Sequence, residues 1–202
     1  MPAVTVEQNP VIWSAAFRLK YRDVFNLKNF YRMVHEWLKE KDWKAADGSD
    51  DHYEIYMYEK NDEAGFKEIH IWWRPQKAFT ESNFYNWKLK IDFKCLYTKS
   101  TEIMWQGKKL KVEKGEVEMK IRSYVELIGW QQWKNHWFLK RFFQFYWRRI
   151  MHGELQKIKM LLYRETYELQ DSMKAFLQLK RFLPTYAGEK FYDSETYPSW
   201  KG

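Results

Sequence analysis

The residues able to do chemistry are few and scattered. Five histidines, His35, His52, His70, His136 and His152, lie far apart, and none stands at a ligand spacing from another histidine or from Cys95. "HEWLK" at 35–39 opens like a zinc-binding helix but has Lys39 where the second histidine would fall. There is no Gly-rich phosphate loop and no nucleophile elbow. Glu36 and Glu40 stand one helical turn apart, which is ordinary for a solvated helix face. Neither a metal nor a cofactor is expected, and the residues point to binding more than to catalysis. An active site would have to be assembled from distant strands.

The stretch "NHWFLKRFFQFYWRRIMHG" at 135–153 is dense in rings and cations and holds no acid. On a helical wheel it separates into two faces. One arc collects Leu139, Phe142, Phe143, Tyr146, Trp147 and Ile150, as a core-facing stripe should. The opposite side carries Lys134, Lys140, Arg141, Arg148 and Arg149, and among them the rings Trp137, Phe138 and Phe145. Rings interleaved with cations suit single-stranded nucleic acid, where bases stack and phosphates pair. They suit an anionic membrane surface as well. Burial of the same rings among several neighbours, with Arg and Lys stems lying over them, is the structural alternative.

Charge supports a polyanionic partner without requiring one. The chain of 202 residues carries +8, with 35 Lys and Arg against 27 Asp and Glu. Most of the excess lies beyond residue 130. Aromatics reach 20%, so either the core is built of rings or many rings sit at working surfaces. A single cysteine excludes an internal disulfide and fits a reducing, cytoplasmic setting. No leader pattern opens the chain and no apolar run is long enough to span a bilayer, so a cytoplasmic protein, free or peripheral to a membrane, is expected.

The elements that must position these residues follow from periodicity. Alternation over Trp13–Asp23 predicts a strand with Trp13, Ala15, Phe17, Leu19 and Tyr21 on its apolar side. Asn26 can cap a helix from Leu27 to Lys41. "HYEIYMYEK" and "FKEIHIWWR" flank the turn "NDEAG" as a hairpin. The longest alternation puts Tyr85, Trp87, Leu89, Ile91, Phe93, Cys95 and Tyr97 inward. Short strands are expected near Ile103–Trp105 and Leu110–Val112, then one from Val117 to Leu127. Helical periodicity runs from Gly129 to Leu183, interrupted at Gly153, and Pro184 stops it. Within it Leu155, Leu162, Leu169 and Phe176 recur every seven residues, as a stripe for packing inside the chain or for a homodimer. The fold class is α+β. A curved antiparallel sheet of six to seven strands is covered by one N-terminal helix and by a long C-terminal helix kinked or broken near Gly153. Residues 1–183 form one domain, and 184–202 form an extended aromatic tail.

This order of elements resembles the helix-grip architecture of the START-like and Bet v 1-like (SRPBCC) superfamily over residues 11–180. The chain differs from that pattern in having one long helix after the first strand. The resemblance implies an apolar ligand or lipid held between the sheet and the terminal helix. Its walls would be Trp87, Leu89, Phe93, Tyr97, Met119 and Ile121 from strands and Leu139, Phe143 and Trp147 from the helix. The same architecture also hosts cyclase-like enzymes. Three readings therefore stand side by side: an apolar-ligand binder, a surface binder of RNA, ribonucleoprotein or anionic membrane, and a cyclase-like enzyme.

Overall fold

The computed structural model describes residues 9–49, 52–63, 65–79, 84–105, 108–128, 136–137 and 152–178. The first alternating segment forms strand β1 (Val11–Phe25). Asn26 then caps helix α1 (Leu27–Glu40), its side-chain oxygen accepting from the Asn29 backbone N–H at 3.0 Å. One donor left orphaned by the helix start is satisfied in this way. The Glu113 carboxylate accepts from the Leu27 N–H at 3.1 Å and places a negative charge at the positive end of the helix dipole. The apolar stripe of α1 buries Phe30, Val34, Trp37 and Leu38, as spacing of three and four requires.

The two segments around "NDEAG" form the expected hairpin, β2 (Glu54–Asn61) and β3 (Lys67–Trp73). A short β4 (Gln76–Ala78) follows, then the long β5 (Tyr85–Trp105) and β6 (Lys108–Leu127), and helix α2 (His152–Phe176). The sheet is open, antiparallel and six-stranded, in the order β1-β6-β5-β3-β2 with β4 beside β5. The pieces expected near Ile103–Trp105 and Leu110–Val112 are not separate strands. They are the far ends of β5 and β6, paired with each other.

α1 and α2 lie on the same side of the sheet, and their buried residues join its inner face in one core. α2 contributes Leu155, Ile158, Leu162, Leu169 and Met173, and the Phe176 ring lies 5.5 Å from that of Phe30. The seven-residue repeat is thus used inside the chain. Polar ties fix α2, among them Lys41 Nζ with Glu168 at 2.9 Å. Ser14 Oγ donates to the Lys159 carbonyl at 2.8 Å, while Glu165 accepts from Trp43 Nε1 at 2.7 Å and pairs with Lys77 Nζ at 3.0 Å. The expected break at Gly153 and the tail 184–202 involve residues outside those described.

Two bulges redirect side chains that plain alternation would place inward. In β1 the register slips between Trp13 and Ala15. Trp13, expected beside Ala15 and Phe17, faces away from the helices and is 49% exposed. The buried Ser123 bridges the slip, its Oγ accepting from the Ala15 N–H at 3.1 Å. In β5 the register slips between Leu96 and Lys99. There Tyr97 takes φ +52°, a left-handed conformation that a ring-bearing residue rarely adopts. Opposite this second bulge stands Gly115, where an added Cβ would come within 2.8 Å of the Thr98 Cα. Only glycine allows the two backbones to approach so closely.

Candidate functional site

Apart from Tyr97, the strand residues of the sequence-predicted ligand wall are part of the core. Trp87, Leu89, Phe93, Met119 and Ile121 do come together on the inner face, and all are buried. Met119 and Ile121 have 0% exposure and Leu89 and Phe93 only 1%. Rings occupy the interval: Phe93 lies 6.1 Å from Phe30 and 5.1 Å from Trp73. Trp87 is covered by Phe79 at 5.7 Å and by the Lys77 ammonium at 5.6 Å. Tyr97 is absent from this group because the β5 bulge turns it out to 74% exposure. The helix walls Leu139, Phe143 and Trp147 lie outside the described residues.

Of the basic aromatic set, Lys134, Phe138, Lys140, Arg141, Phe145, Arg148 and Arg149 likewise lie outside the described residues. Trp137 is described and is 85% exposed. Catalytic groups remain sparse. Burial, and then the nearby Glu113 carboxylate, push the Cys95 thiol up to about 12, which keeps it neutral and unreactive. Among the described residues no three His, Cys, Asp or Glu side chains come together as a metal site.

The other face of the sheet was not singled out by sequence and carries a repeated arrangement. Neither α1 nor α2 lies over it, and exposed rings sit there beside cations. At one end Trp13 and Tyr124 are cross-strand partners with ring centroids 5.2 Å apart. The Lys90 ammonium lies 5.8 Å from the first ring and 5.2 Å from the second. On the neighbouring strands Tyr56 and Trp72 are also cross-strand partners, with centroids 4.5 Å apart. The Arg74 guanidinium lies 5.9 Å from the Trp72 ring. These distances fit cation–π attraction. A third ring, Tyr97, stands at the far end of the same face.

Electrostatics make this open face cationic. From Glu116 to Glu126 and across to their partners, β1, β5 and β6 present Arg18, Lys20, Arg22, Lys88, Lys90, Lys94, Lys120 and Arg122. The acids of the same rows are Asp92, Glu116, Glu118 and Glu126. Position matters more than number. Glu116 and Glu118 are buried on the inner strand β6, beneath the exposed Arg18, Lys20 and Arg22 that pair with them. Hydrogen bonds from Lys20 and Arg22 hold the Glu116 carboxyl below its ordinary range. Burial works against ionisation of Glu118, yet Arg18 and Lys120 more than offset it and its value is lowered too. Arg74 and Arg122 share Asp92 at 2.7 Å and 3.2 Å. Glu116 and Glu118 are sunk and guanidinium and ammonium groups stand above them, so a molecule approaching that part of the face meets positive charge first.

Period two makes part of this legible. In "IHIWW" the tandem Trp72-Trp73 must send one ring to each face. Nothing in the alternation announces Trp13, whose side is set by the bulge. Comparison of the chain with family models, with curated proteins and with solved structures finds no match.

Proposed function

We propose that this protein is a non-catalytic binder of single-stranded nucleic acid, held on the open face of the sheet. The observation that carries the reading is the pair of ring–cation units, Trp13–Tyr124–Lys90 and Tyr56–Trp72–Arg74, on a face where Glu116 and Glu118 are sunk beneath cations. Bases stack on half-exposed rings, and phosphates meet the cations between them. Base–ring stacking contributes about 1–3 kcal/mol per base. Stacking needs no base-specific hydrogen bonds, so weak sequence preference is expected.

A bilayer fits the same face less well. Its rings lie between ion pairs on Glu116, Glu118 and Asp92, and insertion among acyl chains would strip water from those charges. A hydrophobic ligand between the sheet and the terminal helix finds the strand residues of its wall already packed. The exposed Trp137 suits a surface role better than a cavity.

Fluorescence anisotropy with labelled oligouridylate and oligoadenylate tests the proposal. Binding should weaken steeply with salt, as counterion release requires. Trp13→Ala and Trp72→Ala should each weaken it by about tenfold, the equivalent of one lost stack. Binding to anionic vesicles with no affinity for either oligonucleotide would sink the reading in favour of a membrane surface.

A further inference from the structure

At the end of the open face, beside the β5 bulge, a groove of about 460 Å³ opens between β1, β5, β6 and the loop before β3. We infer that this groove is a nucleotide subsite, with a base against Tyr97 and Phe66 and its phosphate between Lys99 and Lys114.

Four features of the groove converge on a ligand that is both planar and anionic. Tyr97 is held at φ +52° and projects to 74% exposure at its edge. A left-handed backbone at a bulge is a local cost, and such outliers persist where they aim a side chain. Phe66, 37% exposed, supplies a second ring, with the Lys99 ammonium 5.6 Å from its centroid. Lys99 and Lys114 are direct cross-strand partners. Like charges placed opposite one another destabilise a sheet, and neither lysine has an ion-pair partner among the described residues. An anion between them would turn that repulsion into attraction.

The acids of the groove do not neutralise these lysines. Glu116 is taken by Lys20 and Arg22. Asp23 has no ion-pair partner among the described residues and can accept from a ribose hydroxyl or a base amino group. Gly115 also lines the groove, where it lies close against the Thr98 and Tyr97 backbone of the neighbouring strand. A ring edge, two free ammonium groups and one free carboxylate match a nucleotide better than a bare phosphate, which would leave Tyr97, Phe66 and Asp23 without a role.

The inference rests on the nucleic-acid reading of the open face only for the source of the nucleotide. A nucleotide within a strand and a free one present the same chemistry. The full chain is titrated calorimetrically with 5′-AMP, inorganic phosphate and a short oligoadenylate. Three variants are compared with the parent: Tyr97→Gly, the double Lys99→Gln/Lys114→Gln, and the remote double Trp13→Ala/Trp72→Ala. Tyr97→Gly removes the ring while suiting the left-handed backbone, so its thermal midpoint should not fall. AMP affinity should drop by about tenfold or more in the first two variants, as loss of one stack or of the phosphate contacts predicts. It should be unchanged in the third, which should lose oligoadenylate affinity alone. AMP binding that ignores Tyr97 and both lysines, inorganic phosphate competing as well as AMP, or no AMP binding at all would each overturn the subsite. If oligoadenylate affinity still falls in the Trp13→Ala/Trp72→Ala variant under those outcomes, the open-face reading survives without it. AMP binding lost in the first two variants, with no oligoadenylate binding by the parent, would keep the subsite for free nucleotides and remove the open-face reading.

Discussion

Trp72 and Trp73 are adjacent in sequence and belong to different worlds. Trp73 points to the inner face, is fully buried, and packs against Tyr31 at 4.7 Å, Phe93 at 5.1 Å and Tyr53 at 6.0 Å. Trp72 points to the open face, is 40% exposed, and has Tyr56 and the Arg74 guanidinium for neighbours. Core rings are fixed by shape and exclude everything else. Open-face rings keep an exposed side and are steadied by cations that also remain accessible. The abundance of tryptophan in this chain is therefore not one phenomenon, and only the second kind offers a surface to a ligand.

The sharpest way to break this contrast is to truncate both rings. Trp73→Ala should cost about 3–5 kcal/mol, because a cavity replaces a large buried side chain. Trp72→Ala should change stability by about 0.5 kcal/mol, as exposed sites do. Urea denaturation measures both. Cys95 provides a second readout, since its buried, neutral thiol should react with a thiol reagent only when the core opens. Labelling should quicken in Trp73→Ala and stay slow in Trp72→Ala. Equal losses from the two substitutions would show that the open-face ring is structural.

The bulge opposite Gly115 gives the next largest effect. Gly115→Ala sets a Cβ 2.8 Å from the Thr98 Cα and 3.0 Å from the Tyr97 carbonyl oxygen. Both are backbone atoms that cannot swing aside, so a loss of about 1–3 kcal/mol is expected, as for overpacking. Tyr97→Gly should do the reverse and leave the unfolding free energy level or up to about 1 kcal/mol higher, since a left-handed L-residue is relieved. A large loss in Tyr97→Gly would mean that the ring is a packing element after all.

Much of the frame was legible in sequence because period and capping act locally. Asn26 as a cap, the α1 stripe, the hairpin around "NDEAG" and the inward set from Trp87 to Cys95 all follow from spacing. Bulges do not, because one extra residue leaves the local alternation intact and reverses everything beyond it. Alternation alone therefore puts Trp13 and Tyr97 on the inner side. Their displacement moved both rings from the expected core to the open face. The continuity of β6 was hidden similarly, since "EKGE" reads as a turn while Gly115 serves a close backbone approach within the strand. The open face itself escaped notice because outward lysines and arginines look alike whether or not acids lie sunk beneath them. That arrangement depends on which strand is central, a fact of topology and not of any one segment.

The smallest effect separates the two faces by pH. Glu116 and Glu118 have lowered pKa values, so their contribution to stability is fully present above the unfolded glutamate value of about 4.3 and is lost as pH falls through the folded values. Stability attributable to them should be flat from neutral pH to about 5 and decline below it. Glu116→Gln should flatten part of that decline, and thermal melts across the range measure it. Protonation of the same two carboxylates leaves Arg18, Lys20 and Arg22 without counter-charges. Affinity for a polyanion should therefore rise over the same interval in which stability falls, because nucleic-acid phosphates stay ionised there. The described inner-face strand residues Trp87, Leu89, Ile91, Phe93, Met119 and Ile121 are apolar and have no charge to respond in this way. Opposite pH trends in stability and in oligonucleotide affinity, both weakened by Glu116→Gln, would tie the ligand to the open face. Parallel trends would place it elsewhere.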